Sequence, residues 1–457
     1  MKNKSIIYVL LFFSNLMMAT VSLPNFFSNG MVLQRNSEVK IWGWANPKEE
    51  LIIKTSWDNK AYKTTGTNQA HWEISIPTLK EGGPYTITIK GYNEVVLSDI
   101  LIGEVWLCSG QSNMEMSANW GIENGEEEIK NANYPLIRFF AVEKAASSSL
   151  QNNLIGSWQT CTPKTMKHNS AVAYFFGKRL QEDLKNVPIG LVVSAWGGTP
   201  AEVWIPETVM EADKELLEEA NKRPSSEYGP VKPGNTFNTM INPLVGYKIA
   251  GVIWYQGESN VGSNRYDSIF STLIQSWRTL WGYDFPFYYV QIAPYFMGEE
   301  HFSGAILRNA QRKTLKVKGT AMVVPSDIAT IDDIHPKNKK SVGMRLANLA
   351  LANLYKTNQD LVNSPLFNKI EIKKDKLYVY FDYAEGLHFK DKKEVSFEIA
   401  GADNKYHSAN ATIKNDIVIV QSNKVKEPVK VRFAWSNTSQ TTLVNKSNLP
   451  ASLFESE

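Results

Sequence analysis

Gly103-Glu104-Val105-Trp106-Leu107-Cys108 runs without interruption into Ser109-Gly110-Gln111-Ser112-Asn113-Met114-Glu115, and this junction decides how the middle of the chain is read. A short apolar run ending at a glycine turn predicts a strand over Ile102–Leu107, buried on both faces. Four more runs share that character: Pro188–Val193, Ile249–Tyr255, Phe287–Ile292 and Thr320–Val324. Helical patterns cover 170–184, 207–222, 264–280, 303–317 and 337–355. In the last, Val342, Leu346 and Leu349 recur at i, i+4 and i+7 and draw one apolar face. Strands alternating with helices imply an α/β unit, a parallel sheet with helices on both sides. Such sheets bind ligands beyond the carboxyl ends of their strands, so the residues following each strand carry the functional question.

Outward from this unit, assigned to 99–356, the periodicity changes. Residues 23–98 alternate with period two in Glu38–Trp44, His71–Ile76 and Pro84–Lys90, with turn signals at Asn46-Pro47, Asp58-Asn59 and Gly82-Gly83. That pattern predicts a small N-terminal domain of β-sandwich type. After a polar linker at 356–365 the alternation returns in Ile370–Ile372, Leu377–Phe381, Ile417–Val420 and Val429–Trp435, predicting a second β-sandwich-like domain over 366–457. The first residues differ again. Met1-Lys2-Asn3-Lys4 is positive, Ile6–Met18 is mainly apolar, and Ala19, Thr20 and Ser22 are small. This is the order of a signal peptide over 1–22, and the apolar stretch is shorter than the ~20 residues a membrane span needs. The mature chain is therefore expected to be secreted or periplasmic, with no membrane association after cleavage.

Composition narrows the function classes. Forty-nine Lys and Arg against 46 Asp and Glu leave a net charge of +3, so no broad basic field exists to attract nucleic acid. The two cysteines, Cys108 and Cys161, make neither a disulfide scaffold nor a CxxC pattern, and their pairing is open. The chain has no HExxH and no clustered Cys and His, so no metal and no cofactor are expected. Oligomeric state is not legible.

Four strand-end segments carry chemistry. Ser112 sits in a glycine turn, although Met114 stands where a G-x-S-x-G elbow has its second glycine. Trp196-Gly197-Gly198-Thr199 follows the second strand, and paired glycines let backbone approach a ligand. Gln256 lies in Trp254-Tyr255-Gln256-Gly257-Glu258-Ser259-Asn260, where its amide can donate to an oxyanion. Asp332-Asp333-Ile334-His335-Pro336 lies between the last strand and the last helix. Among six histidines, His71 falls on a polar strand face, His388 and His407 lie in the C-terminal β region, and His168 and His301 lack a pattern. His335 precedes a proline suited to the first position of a helix. Each segment alone has an ordinary reading as a turn, a loop amide or a surface acid beside a histidine. Together they supply a hydroxyl nucleophile, a base, an acid to orient it and donors for an oxyanion, the requirements of acyl transfer.

Gly110-Gln111-Ser112-Asn113-Met114, Trp196-Gly197-Gly198-Thr199, Trp254 to Asn260 and Asp333-Ile334-His335-Pro336 resemble the motif blocks of the sialate O-acetylesterase family, a branch of the SGNH/GDSL hydrolases. Phe26 to Arg35 and Asn448-Leu449-Pro450-Ala451-Ser452 are similar to that family as well. The resemblance implies a flavodoxin-like SGNH hydrolase domain with Ser112 as nucleophile and His335 as general base. It implies an oxyanion hole from the Ser112 N–H, Gly198 and Gln256, a Gln where the wider SGNH pattern has Asn. The acid is Asp332 by the i−3 spacing of SGNH hydrolases or Asp333 by the Asp-Ile-His-Pro block, and spacing favours Asp332. The implied reaction removes O-acetyl groups from sugars, sialic acids first, through an acetyl-enzyme. It should fail as the imidazole is protonated, near or somewhat above roughly 6.5. Two alternatives stay open: an esterase for acetylated plant polysaccharides such as xylan, and a carbohydrate-binding protein without activity. Trp196 and Trp204 are the candidate sugar-stacking faces.

Overall fold

The computed structural model describes residues 20–298, 302–391 and 396–456. The leader expected over 1–22 falls almost wholly outside these residues, and His301 lies outside them too.

The long strand Glu94–Gly110 organises the molecule. Its first half alternates between buried and exposed residues, and from Ile100 onward every residue is buried. The first half pairs antiparallel with Gly82–Lys90 of the N-terminal β region. The second half is flanked by Ile189–Ala195 and Gly251–Tyr255, both parallel to it. The change in burial pattern thus marks where one strand passes from a half-solvated sheet into one covered on both faces. Residues 98 and 99, where the sequence changes periodicity, lie inside this strand.

The sheet runs in the order Thr320–Val323, Phe287–Val290, Gly251–Tyr255, Glu94–Gly110, Ile189–Ala195, Tyr134–Ala141, Trp158–Cys161. All neighbouring pairs are parallel except the last. Helices Ala171–Leu184 and Lys339–Ala350 share one apolar core with the sheet, and Tyr266–Trp281 lies in the other. This is the α/β class expected from the strand–helix alternation. Tyr134–Ala141 was not legible as a strand because Pro135 and Arg138 interrupt its apolar pattern. Arg138 is nonetheless buried, and its guanidinium meets Asp99 at 2.6 Å. The pattern at 207–222 is two helices, Glu207–Glu211 and Lys214–Asn221, because Asp213 accepts the N–H groups of Glu215 and Leu216 and starts a new one.

In the N-terminal region Glu38–Trp44 pairs with His71–Pro77, and Glu50–Thr55 pairs with Ala61–Thr65 and Gly82–Lys90. Ile41, Ile53, Trp72 and Ile87 are fully buried there. The C-terminal region is a seven-stranded antiparallel sheet from Leu366–Lys373 to Phe454–Glu455. It curls until Phe367 on its first strand stacks on Phe454 of its last, with centroids 4.3 Å apart. Among the described residues no helix is long and apolar enough to cross a membrane.

Candidate active site

Gly110 closes the central strand with φ +139°, and a Cβ there would lie 2.2 Å from the Tyr255 carbonyl oxygen. Only glycine fits, and the chain turns through Gln111, whose N–H donates to Tyr255 O at 3.0 Å, into the short helix Ser112–Glu115. Ser112 is the first residue of that helix, so its N–H has no acceptor within the turn. His335 arrives from the loop after Thr320–Val323. Its Nε2 lies 2.9 Å from Ser112 Oγ, joining residues 223 positions apart.

The two aspartates are placed differently. Asp333 Oδ1 accepts the backbone N–H of His335 at 2.8 Å, which fixes the loop rather than the ring. Asp332 is exposed. Among the described residues neither carboxylate hydrogen-bonds the imidazole, so the i−3 spacing does not deliver Asp332 to Nδ1 here. The His335 pKa is lowered from 6.5, first by burial and then by the Lys339 charge, against the opposing pull of Asp333 and Glu115. The direction differs from the sequence expectation, because half-burial penalises the imidazolium more than the nearby acids favour it.

The glycine turn lies against Ser112. Trp196 N–H donates to Gly110 O at 3.1 Å, and Gly197 N–H donates to Glu115 Oε2 at 2.7 Å. A Cβ on Gly197 would come within 3.2 Å of Ser112 Cβ. Gly198, at φ +76°, and Ser112 both leave their N–H groups without an acceptor among the described residues. Gln256 is fully buried, and its Nε2 donates to Thr199 O at 3.2 Å and to Asn260 Oδ1 at 2.7 Å. Both amide hydrogens are thereby used away from Ser112, while Tyr266 Oη donates to Oε1 at 2.9 Å.

The candidate sugar faces divide as well. Trp204 is fully buried, edge-on to Trp254 and bonded through Nε1 to Thr199 Oγ1 at 3.1 Å. It is a core side chain and presents no face to a ligand. Trp196 is half-buried and donates to Tyr228 O at 2.8 Å. Trp120, which the sequence did not single out, is 47% exposed, with its ring edge-on to His335 at 6.1 Å. Lys339 was also missed, although it shares the helical face of Val342 and Leu346 and its burial could be read from that spacing. Cys108 and Cys161 are free and buried; burial pushes the Cys161 thiol up to about 12 and Cys108 higher still. Among the described residues no group of three or more His, Cys, Asp or Glu is placed to hold a metal ion.

A parallel sheet with a serine and a histidine hydrogen-bonded at the carboxyl end of its central strand has the geometry of a serine-type carboxylic ester hydrolase. Comparison with known proteins agrees. A crystal structure of a carbohydrate acetylesterase from Xanthomonas citri superposes with a TM-score of 0.86 at 33% identity, covering 96% of this chain and all of that one. Mouse sialate O-acetylesterase is 28% identical over 90% of this chain and 89% of its own length. The human sialate O-acetylesterase is 29% identical, covering 90% and 87% respectively. The family model described as carbohydrate esterase, sialic acid-specific acetylesterase matches residues 102–352. The chain belongs to that family.

Proposed function

We propose that the chain hydrolyses O-acetyl esters of sialic acids, with Ser112 as nucleophile and His335 as general base. The observation that carries this reading is the 2.9 Å hydrogen bond between Ser112 Oγ and His335 Nε2. Ser112 Oγ attacks the acetyl carbonyl carbon as its proton passes to Nε2. The carbonyl oxygen becomes an oxyanion, for which the free N–H groups of Ser112 and Gly198 are the donors. The tetrahedral species collapses, the carbon–oxygen bond to the sugar breaks, and Nε2 returns its proton to the departing hydroxyl. Water, deprotonated by the same nitrogen, then cleaves the acetyl-enzyme and releases acetate. Gln256, expected as a third donor, instead serves the oxyanion hole indirectly, by holding Thr199 at the end of the glycine turn. Trp120, edge-on to His335, and Trp196, which leads into the glycine turn, are the apolar faces offered to a sugar ring. The order of charge, apolar stretch and small residues over 1–22 supports export of the enzyme to a secreted or periplasmic location.

Acetate release from O-acetylated sialic acids, acetylated xylan and a small synthetic acetyl ester tests the reading. Sialic acids should be the best substrates, and Ser112→Ala should lose activity on all of them by about a thousandfold or more while keeping its melting temperature. A folded Ser112→Ala protein that still releases acetate at the wild-type rate removes the mechanism. A preference for xylan would transfer the substrate class.

A further inference from the structure

Next to the Ser112–His335 pair lies a buried polar group that the reaction above does not use. Lys339 is fully buried although it opens the helix Lys339–Ala350, where the helix dipole disfavours a cation. Its Nζ donates to Asn113 Oδ1 at 2.5 Å. Asn113 adjoins Ser112 in the chain and is itself fully buried. Its amide donates to Glu258 Oε1 at 2.6 Å and to Ile334 O, the residue before His335, at 3.0 Å. One side chain therefore ties the loops carrying Ser112, Glu258 and His335. Lys339 and Glu258 hold it from opposite sides, Nζ donating to Oδ1 while Oε1 accepts from Nδ2. For stability alone this arrangement is poorly chosen. Buried charges can lose more hydration than their pairing restores, and replacing the whole group by apolar side chains of similar volume is often neutral or stabilising.

We propose that Lys339 is a positioning residue for the hydrolysis, setting the approach of Ser112 to His335 through Asn113. The inference rests on the proposed Ser112–His335 reaction. The charges facing His335 are Lys339, Asp333 and Glu115, and Lys339 adds to the effect of burial in holding the imidazole neutral. Lys339 itself faces Glu258 and Asp333, with the Tyr255 ring centroid 5.3 Å from Nζ, and burial pulls its pKa down to about 7.

The test compares wild type, Ser112→Ala, Lys339→Met and Lys339→Gln in melting temperature, kcat, KM and the pH profile of acetyl-ester hydrolysis. Lys339→Met leaves Asn113 Oδ1 without its donor and should melt at a lower temperature. While folded it should lose about tenfold or more in kcat with little change in KM, because misplacement of reacting groups costs that much. Its acid limb should move to higher pH. Lys339→Gln keeps a donor for Asn113 without the charge, so it should recover part of kcat while its acid limb stays displaced. If the Met variant does not fold, the Gln variant carries the same pH readout. Wild-type kcat with an unmoved acid limb in folded variants, or a fall in melting temperature alone, would reduce Lys339 to a structural residue. An active Ser112→Ala would remove the underlying reaction, whereas an inactive one leaves the Lys339 results to judge this inference by themselves.

Discussion

In the proposed reaction His335 must be neutral to accept the Ser112 proton, so its basicity sets the acid limb. Burial and the Lys339 charge lower its pKa from 6.5. A base of lowered pKa stays unprotonated further into acid, and kcat/KM should therefore half-fall below pH 6.5 rather than above it. A profile of kcat/KM against pH on a synthetic acetyl ester checks the sign. The aspartates make a second test at this scale. Asp333 accepts the His335 N–H, whereas Asp332 is exposed and bonds no part of His335 among the described residues. Asp333→Ala removes a hydrogen bond to a carboxylate worth about 1.5–3 kcal/mol, and if the loop needs it, kcat should fall by about tenfold or more. Asp332→Ala should cost less. The reverse ranking in measured kcat would show that Asp332 reaches the imidazole during turnover.

The elements deliver these side chains through their ends. The central strand must stop abruptly for Ser112 to start a helix, and Gly110 permits the stop because a Cβ would collide with Tyr255 O at 2.2 Å. Gly110→Ala should lose about 3 kcal/mol or more of stability together with most activity, seen as a lower urea midpoint and a lower kcat. Asp213 is a contrast, with no hydrogen bond to any of the motif segments among the described residues. It accepts two N–H groups at the start of Lys214–Asn221, and Asp213→Ala should cost about 1 kcal/mol in the same denaturation experiment with kcat unchanged. Both residues stand at boundaries, where sequence patterns are least informative. The apolar spacing over 207–222 reads as one helix because both segments present an apolar face, and only the capping bonds reveal the break.

Across the whole molecule, the C-terminal domain braces the loop that leads to His335. Ser326 Oγ and Thr441 Oγ1 lie 2.7 Å apart, and Gln440 donates to Ala329 O. Arg308, on the helix Ser303–Lys313, is fully buried and donates to the carbonyls of Ser436, Asn437 and Ser439. Burial lowers its pKa to about 9. Arg308→Met would remove hydrogen bonds from a charged donor, each contributing about 1.5–3 kcal/mol, so the melting temperature should fall. If the docking also steadies the His335 loop, kcat should fall with it at temperatures where the variant is still folded. A large loss of stability with wild-type kcat would confine the interface to a structural role.

The sequence by itself determined the alternation of strands and helices, the parallel sheet, and the gathering of Ser112, the glycine turn, Gln256 and His335 at strand ends. Those are local properties: hydrophobic period and turn chemistry are set by neighbours in the chain, and strands made parallel by crossover connections bring every such end to one edge. Whether a side chain at that edge points at the reacting atoms is settled by groups far away in sequence. Trp204 belongs to the core because Trp254 packs against it, and Gln256 spends its donors on Thr199 and Asn260. His335 meets Ser112 only because Thr320–Val323 and Glu94–Gly110 lie in one sheet. Lys339 was readable as buried but not as bonded to Asn113, because a contact across 226 residues depends on the packing of helix against sheet. Periodicity specifies which faces are buried; only the assembled fold decides what each buried or half-buried polar atom finds as its partner.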